Sequence, residues 1–125
     1  MAFNQKKYNQ SIRGIAVTAC KASKRRARIK NLPFNLTSNY LESIYPKNSV
    51  CPILGYTMKV SNISLGKLSP TLDRIDPRLG YVRGNVEFVT NIANLMMTSA
   101  TGKDIKRFVK WATKRYKITE EEIYG

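Results

Sequence analysis

The chain has 125 residues, of which 42% are hydrophobic, enough for one compact domain with one core. Its 22 Lys+Arg against 8 Asp+Glu give a formal charge of +14, which favours a polyanionic partner, nucleic acid before an anionic membrane surface. Having no histidine and only two cysteines, it lacks the commonest general base near neutral pH and the ligands for a closed zinc site, and no apolar run is long enough to span a bilayer.

Basic charge gathers toward the ends. Residues 1–30 hold nine Lys/Arg and no acid, and residues 101–117 hold seven more against Asp104 alone. The opening MAFNQKKYNQ has no apolar segment after its charges, so no secretory signal is expected, and two thiols make no disulfide framework. Both features predict a cytoplasmic setting. From about Asn9 to Lys30, apolar Ile12, Ile15, Ala16, Ala19, Cys20 and Ala27 recur close to helical spacing, although Gly14, Val17 and Thr18 weaken the pattern. Lys24, Arg25, Arg26, Arg28 and Lys30 form its basic end. With no acids offsetting them, these residues point to phosphate contact more than to an idle solvated face.

Residues 32–37 read as extended. A helix of about two turns should follow, capped by Ser38 or Asn39, with Tyr40, Leu41, Ile44 and Tyr45 facing the core and Pro46 ending it. Residues 51–58 suggest a turn between short strands, and Cys20 and Cys51 suit small buried hydrophobes. Residues 61–69 read as an irregular loop. Beyond it, 71–75 should be a strand and Asp76-Pro77-Arg78-Leu79-Gly80 a turn. Residues 81–83 and 86–89 should return, interrupted by Gly84-Asn85, and a helix should start near Thr90 with Met96 and Met97 filling the core. A last helix, capped by Thr101 with Asp104 three positions on, repeats Ile105, Phe108, Val109, Ala112 and Tyr116 as a buried stripe. Trp111 is expected at the core's edge, with base stacking as the lesser alternative, and Glu120-Glu121-Glu122 as a solvated end.

The run Ser69-Pro70-Thr71-Leu72-Asp73-Arg74-Ile75-Asp76, then Gly80-Tyr81-Val82-Arg83-Gly84-Asn85-Val86, then Ala93-Asn94, resembles small phage HNH endonucleases. Their pattern is S-P-x-L-D-R-I-D, G-Y-x-x-G-N-V and A-N. The basic helix, Leu32-Pro33-Phe34-Asn35-Leu36-Thr37, Cys51-Pro52, Gly55 and Ala100-Thr101 are similar too, so the likeness covers most of residues 20–112. It implies an α+β fold: one domain, 1–125, with an HNH (ββα-metal) core at about 69–98. A basic helix at about 9–30 and an amphipathic helix at about 101–117 would flank that core.

The resemblance also implies roles. Asp73 and Asn94 would bind Mg2+ or Mn2+, and Asn85 would brace the loop. Arg74 stands where the family has its catalytic histidine; it cannot act as a base but suits the scissile phosphate. Asp76 is the first candidate base, with hydroxide or a substrate phosphate oxygen as alternatives. Arg78, Arg83, Lys106, Arg107 and Lys110 would join the basic helix in binding nucleic acid. Gly55 occupies the position where a paired cysteine would be needed, so no zinc is expected. The implied activity is metal-dependent hydrolysis of double-stranded DNA by a phage homing or DNA-processing nuclease in the host cytoplasm, with no membrane partner. A DNA-binding protein that keeps the scaffold without cutting, and an RNA-binding protein, remain alternatives. So do plainer readings of Asp73 as a strand-end carboxylate paired with an arginine, Asn94 as helix-surface polarity and Arg74 as an ordinary phosphate or salt-bridge contact. The oligomeric state, a dimer included, is left open.

Overall fold

A computed structural model describes residues 3–61 and 63–125. The fold is α+β, and the chain divides into two compact units, Met1–Leu95 and Met96–Gly125. Among the described residues no helix is long and apolar enough to cross a membrane.

The first unit opens with α1 (Gln5–Gln10) and α2 (Ile12–Lys30). The single helix expected from Asn9 is thus interrupted. Ser11 leaves helical geometry, and its hydroxyl accepts from the Gly14 amide, so α2 starts with its own cap. Gly14 lets the two helices close up, because a Cβ there would overlap the Tyr8 carbonyl. Along α2, Ala16, Ser23 and Ala27 are buried, Ile15, Ala19 and Cys20 pack against the core, and Ile12 is exposed. Asn31, in the left-handed region at φ 54°, ends the helix.

Helix α3 (Ser38–Ile44) is capped by Thr37, one residue earlier than expected, through its hydroxyl to the Tyr40 amide at 3.1 Å. Leu41 is fully buried, and Tyr40, Ile44 and Tyr45 are partly so. Thr37→Ala should lower stability by about 1 kcal/mol, read as a reduced urea midpoint at unchanged slope. After a 3-10 turn at Lys47–Ser49, residues 51–58 fold back through one isolated bridge, Val50 to Thr57. Cys51 ends up fully buried, while Cys20 is only half-buried.

Strands β1 (Pro70–Arg74) and β2 (Val86–Thr90) pair antiparallel with Leu72 opposite Phe88, and α4 (Asn91–Met97) follows at once. Leu72, Val86 and Phe88 face the core, where Phe88 meets Tyr45 edge-on at 5.2 Å between ring centroids. Residues 81–83 do not belong to the returning strand. Tyr81 instead bridges Phe34 in parallel, because Pro33 accepts its amide at 3.0 Å and its own carbonyl accepts from Asn35 at 3.2 Å. Met96 is exposed rather than core-filling.

The second unit carries α5 (Gly102–Arg115) and α6 (Glu120–Tyr124). Thr101 and Asp104 close the expected capping box. The stripe on α5 is not buried, however: Phe108 is 56% and Tyr116 66% exposed. A five-residue α6 offers this unit no second apolar layer to cover it. Trp111, expected at a core edge, is likewise open and packs along its own helix, against Phe108, Tyr116 and the Arg115 guanidinium. The acidic end forms α6, capped by Thr119 and exposed.

Candidate active site

Side chains alternate across a strand, and directly opposed residues share a face. Pairing Leu72 with Phe88 therefore places Asp73 opposite Glu87, on the other face of the ladder from Leu72 and Phe88. Further along the same face, Thr71 lies opposite Val89, which is fully buried, so that end is covered while the Asp73–Glu87 end stays half-open. Burial pushes both carboxyls above their ordinary values. For Asp73 the Arg74 amide and charge oppose the rise; for Glu87 the charge of Asp73 adds to it.

Both shifts have the same consequence for stability. A carboxyl raised in the folded state binds its proton more tightly than in the unfolded chain. The stability it contributes is complete below the ordinary carboxylate value and is lost as pH rises through the raised one. Glu87→Gln should therefore stabilise the protein in chelator at pH 7 by a few tenths to about 1 kcal/mol, the range for a directly opposed pair. The gain should vanish below the carboxylate range, as thermal midpoints across pH would show.

The loop between the strands is held from inside by Asn85. This residue is buried, its Oδ1 accepts from the Asp76 amide at 2.9 Å, and its Nδ2 donates to the carbonyls of Asp76 (3.1 Å) and Gly80 (2.9 Å). Its backbone carbonyl accepts from the Ile75 amide at 2.9 Å, continuing the strand register into the loop. Arg74 crosses beneath the same loop. Its Nη1 donates to Pro77 O at 2.7 Å and more weakly to Leu79 O at 3.4 Å, and its guanidinium lies over the Tyr81 ring at 5.0 Å. Nε and Nη2 make no hydrogen bond among the described residues, so part of the donor fork remains for an anion. Asp76 faces Arg78. One carboxyl oxygen accepts from Arg78 N and Nε, the other from Nη2 at 2.9 Å, and this pairing holds the carboxyl below its ordinary value.

The G-Y and G-N pairs of the motif have structural reasons. A Cβ at Gly80 would run into the Pro33 carbonyl, so only glycine lets residues 32–36 lie against the loop. The Gly84 amide donates to the Tyr40 hydroxyl at 2.8 Å, the Arg83 amide to Asn35 Oδ1 at 2.8 Å, and the Arg83 guanidinium lies over the Tyr40 ring. Helix α3 and its approach thereby clamp the loop that carries Asn85. Behind β2, the amide and hydroxyl of Thr90 both donate to Cys51 Sγ, at 3.3 and 3.5 Å. Burial raises the Cys51 thiol, but these donors and the Leu54 and Ile53 amides outweigh it and leave the thiol below its ordinary value. Cys51 thus serves as a buried acceptor at the start of α4.

The structure therefore carries Asp73, Arg74, Asp76, Arg78 and Asn85 on one hairpin and its loop, with Asp73 and Glu87 on one face of the ladder and Arg74 leaving from the other, under the loop. Asn94 is half-buried on α4. Lys24, Arg25, Arg26, Arg28 and Lys30 are exposed along α2, and Lys106, Arg107 and Lys110 are exposed on α5 of the second unit. Sequence reasoning missed Glu87, whose signal lay in the register: with Asn85 and Ile75 closing the ladder, counting back two places on each strand sets Glu87 against Asp73. Among the described residues no three His, Cys, Asp or Glu side chains converge, so any cation here would be held by few protein groups. No protein-family profile, curated protein or solved structure shows a significant match to the chain.

Proposed function

We propose that the chain is a DNA endonuclease or nickase of the HNH kind, hydrolysing phosphodiester bonds at the β1–β2–α4 unit with Mg2+ or Mn2+. The observation that carries this reading is the pair of half-open carboxylates, Asp73 and Glu87, opposed across two strands of a protein whose formal charge is +14. Like charges directly opposite are unfavourable, and a bound cation relieves them. The donor set fits such an ion: carboxylate oxygens from Asp73 and Glu87, with the Asn94 amide on the following helix, are hard ligands for a metal that keeps most of its waters. Bound there, the cation supplies Lewis acidity toward a phosphoryl oxygen.

The chain's own residues do the rest. Asn85 keeps the loop in one shape while substrate binds. Arg74, tied to the loop through Nη1, presents its remaining donors to the scissile phosphate and the charge that builds on it. Asp76 is poorly suited to accept a proton while Arg78 holds both its oxygens. Proton acceptance then falls to hydroxide or a substrate phosphate oxygen, and lacking a positioned base typically costs about 10²–10⁴-fold in rate. The reaction should be slow.

That same pairing favours a second reading, a DNA-binding protein that no longer cuts. Supercoiled plasmid incubated with Mg2+, with Mn2+ and with EDTA separates the two. Relaxed or linear product that requires the metal supports the nuclease. Retardation of the plasmid without conversion under any metal supports the binding protein.

A further inference from the structure

Six basic residues lie between Lys21 and Lys30 on α2, and the fold sorts them. Lys21, Lys24, Arg25 and Arg28 recur at i, i+3, i+4 and i+7, which places them on one side of the helix, away from the buried Ala16, Ser23 and Ala27. All four are exposed, and none makes an ion pair or side-chain hydrogen bond among the described residues. Arg13, higher on the same helix, is by contrast tied to Asn39 and Glu42. Arg26 turns to another side, where it lines a cavity of about 390 Å³ with Thr18 and Ala22, and Lys30 is the last helical residue. Like charges at these spacings oppose helix formation. The helix dipole favours cations in the last turn, which covers Arg28 and Lys30 but not Lys21, Lys24 or Arg25.

We infer that this four-residue stripe is a separate anchor on duplex DNA, gripping the phosphate backbone on one strand side of α2 while the β1–β2 loop addresses the bond. The inference rests on the nuclease or DNA-binding reading above. The stripe runs from Lys21 to Arg28, about 10 Å of helix, and is unbroken by a kink. An anionic membrane fits less well, because a surface helix must insert its apolar face, and that of α2 is occupied by the core, with Ala16 and Ala27 each 1% exposed. Single strands fit less well too. Helix α2 contains no aromatic residue on which an unpaired base could stack.

The test is binding to an arbitrary 30-base-pair duplex in EDTA, by fluorescence anisotropy across salt concentrations. With one cation on each of four phosphates, K21Q/K24Q/R25Q/R28Q should flatten the slope of log affinity against log salt by about 3–4, since each duplex phosphate contact is worth about 0.9. The half-variants K21Q/R25Q and K24Q/R28Q should each remove about 2. R26Q/K30Q should change the slope by less than about 1. The thermal midpoint of the quadruple variant should equal or exceed that of the native chain, as mutual repulsion is relieved; if it falls, the half-variants carry the test. Slopes unchanged in the stripe variants overturn the anchor. So does an equal loss in R26Q/K30Q, or native binding that is tighter to a single-stranded oligonucleotide, to duplex RNA or to phosphatidylserine vesicles. Because EDTA removes cleavage from the assay, a native chain that binds duplex through the stripe but never cuts sinks the nuclease alone. A chain that cuts with Mg2+ while the stripe variants keep the native slope sinks the anchor alone.

Discussion

Asp73→Ala is expected to lower metal-dependent plasmid nicking by at least about 10²–10³-fold, the scale of losing one preorganised charge-stabilising group. Asp73 is a half-buried carboxylate near the loop end of the ladder, opposed by Glu87, so its removal takes away one of the two carboxylates proposed to hold the ion. The loss should be specific to chemistry. The side chain is half-buried on the ladder face opposite Leu72 and Phe88, so the variant should fold and retain duplex affinity in EDTA. A second readout is independent of catalysis. Mg2+ should raise the thermal midpoint of the native chain, gaining about 2.7 kcal/mol at 100 times the dissociation constant, and should leave that of Asp73→Asn unmoved. Undiminished nicking in Asp73→Ala, or an equal Mg2+ response in Asp73→Asn, would remove this residue from the site.

Asn85→Ala is expected to cost about 2–4 kcal/mol of stability, from the loss of hydrogen bonds and the stranding of their partners. One amide makes three bonds across the loop: it accepts from Asp76 N and donates to Asp76 O and Gly80 O, the last of these in a buried position. Truncation leaves no side chain to replace them, and Gly80 lies close against the Pro33 carbonyl. The urea midpoint should fall, and exchange of the Asp76 amide should accelerate. Asn85→Asp should be hardly milder, because it keeps the acceptor, loses both donations and turns a carboxylate toward two carbonyls. A change within about 0.5 kcal/mol for Asn85→Ala would mean the loop is held chiefly by Arg74 and the Tyr40–Gly84 contact instead.

Features encoded within a few residues were legible in the sequence. The strand–loop–strand–helix order, the presence of α3 and its end before Pro46, and the Thr101–Asp104 capping box depend on alternation, helical spacing and the reach of one side chain to an amide three residues on. Asn85 stood out as a loop amide for the same reason, since an asparagine after glycine in a turn commonly satisfies nearby backbone groups. Other features depend on residues far apart in the chain. Which acid opposes Asp73 was set by the closing of the ladder between Ile75 and Asn85, so Glu87 carried no local mark. In the sequence Arg74 could be a phosphate ligand or a salt-bridge partner and Asp76 a candidate base; the folded loop gave one the Pro77 and Leu79 carbonyls and the other Arg78. Tyr81 left the returning strand because Pro33 and Asn35, almost fifty residues earlier, offered its backbone a partner. Periodicity also showed that α5 is amphipathic but not whether anything covers it. A helical pattern records a helix's faces, whereas burial is decided by which other surface comes to lie on them.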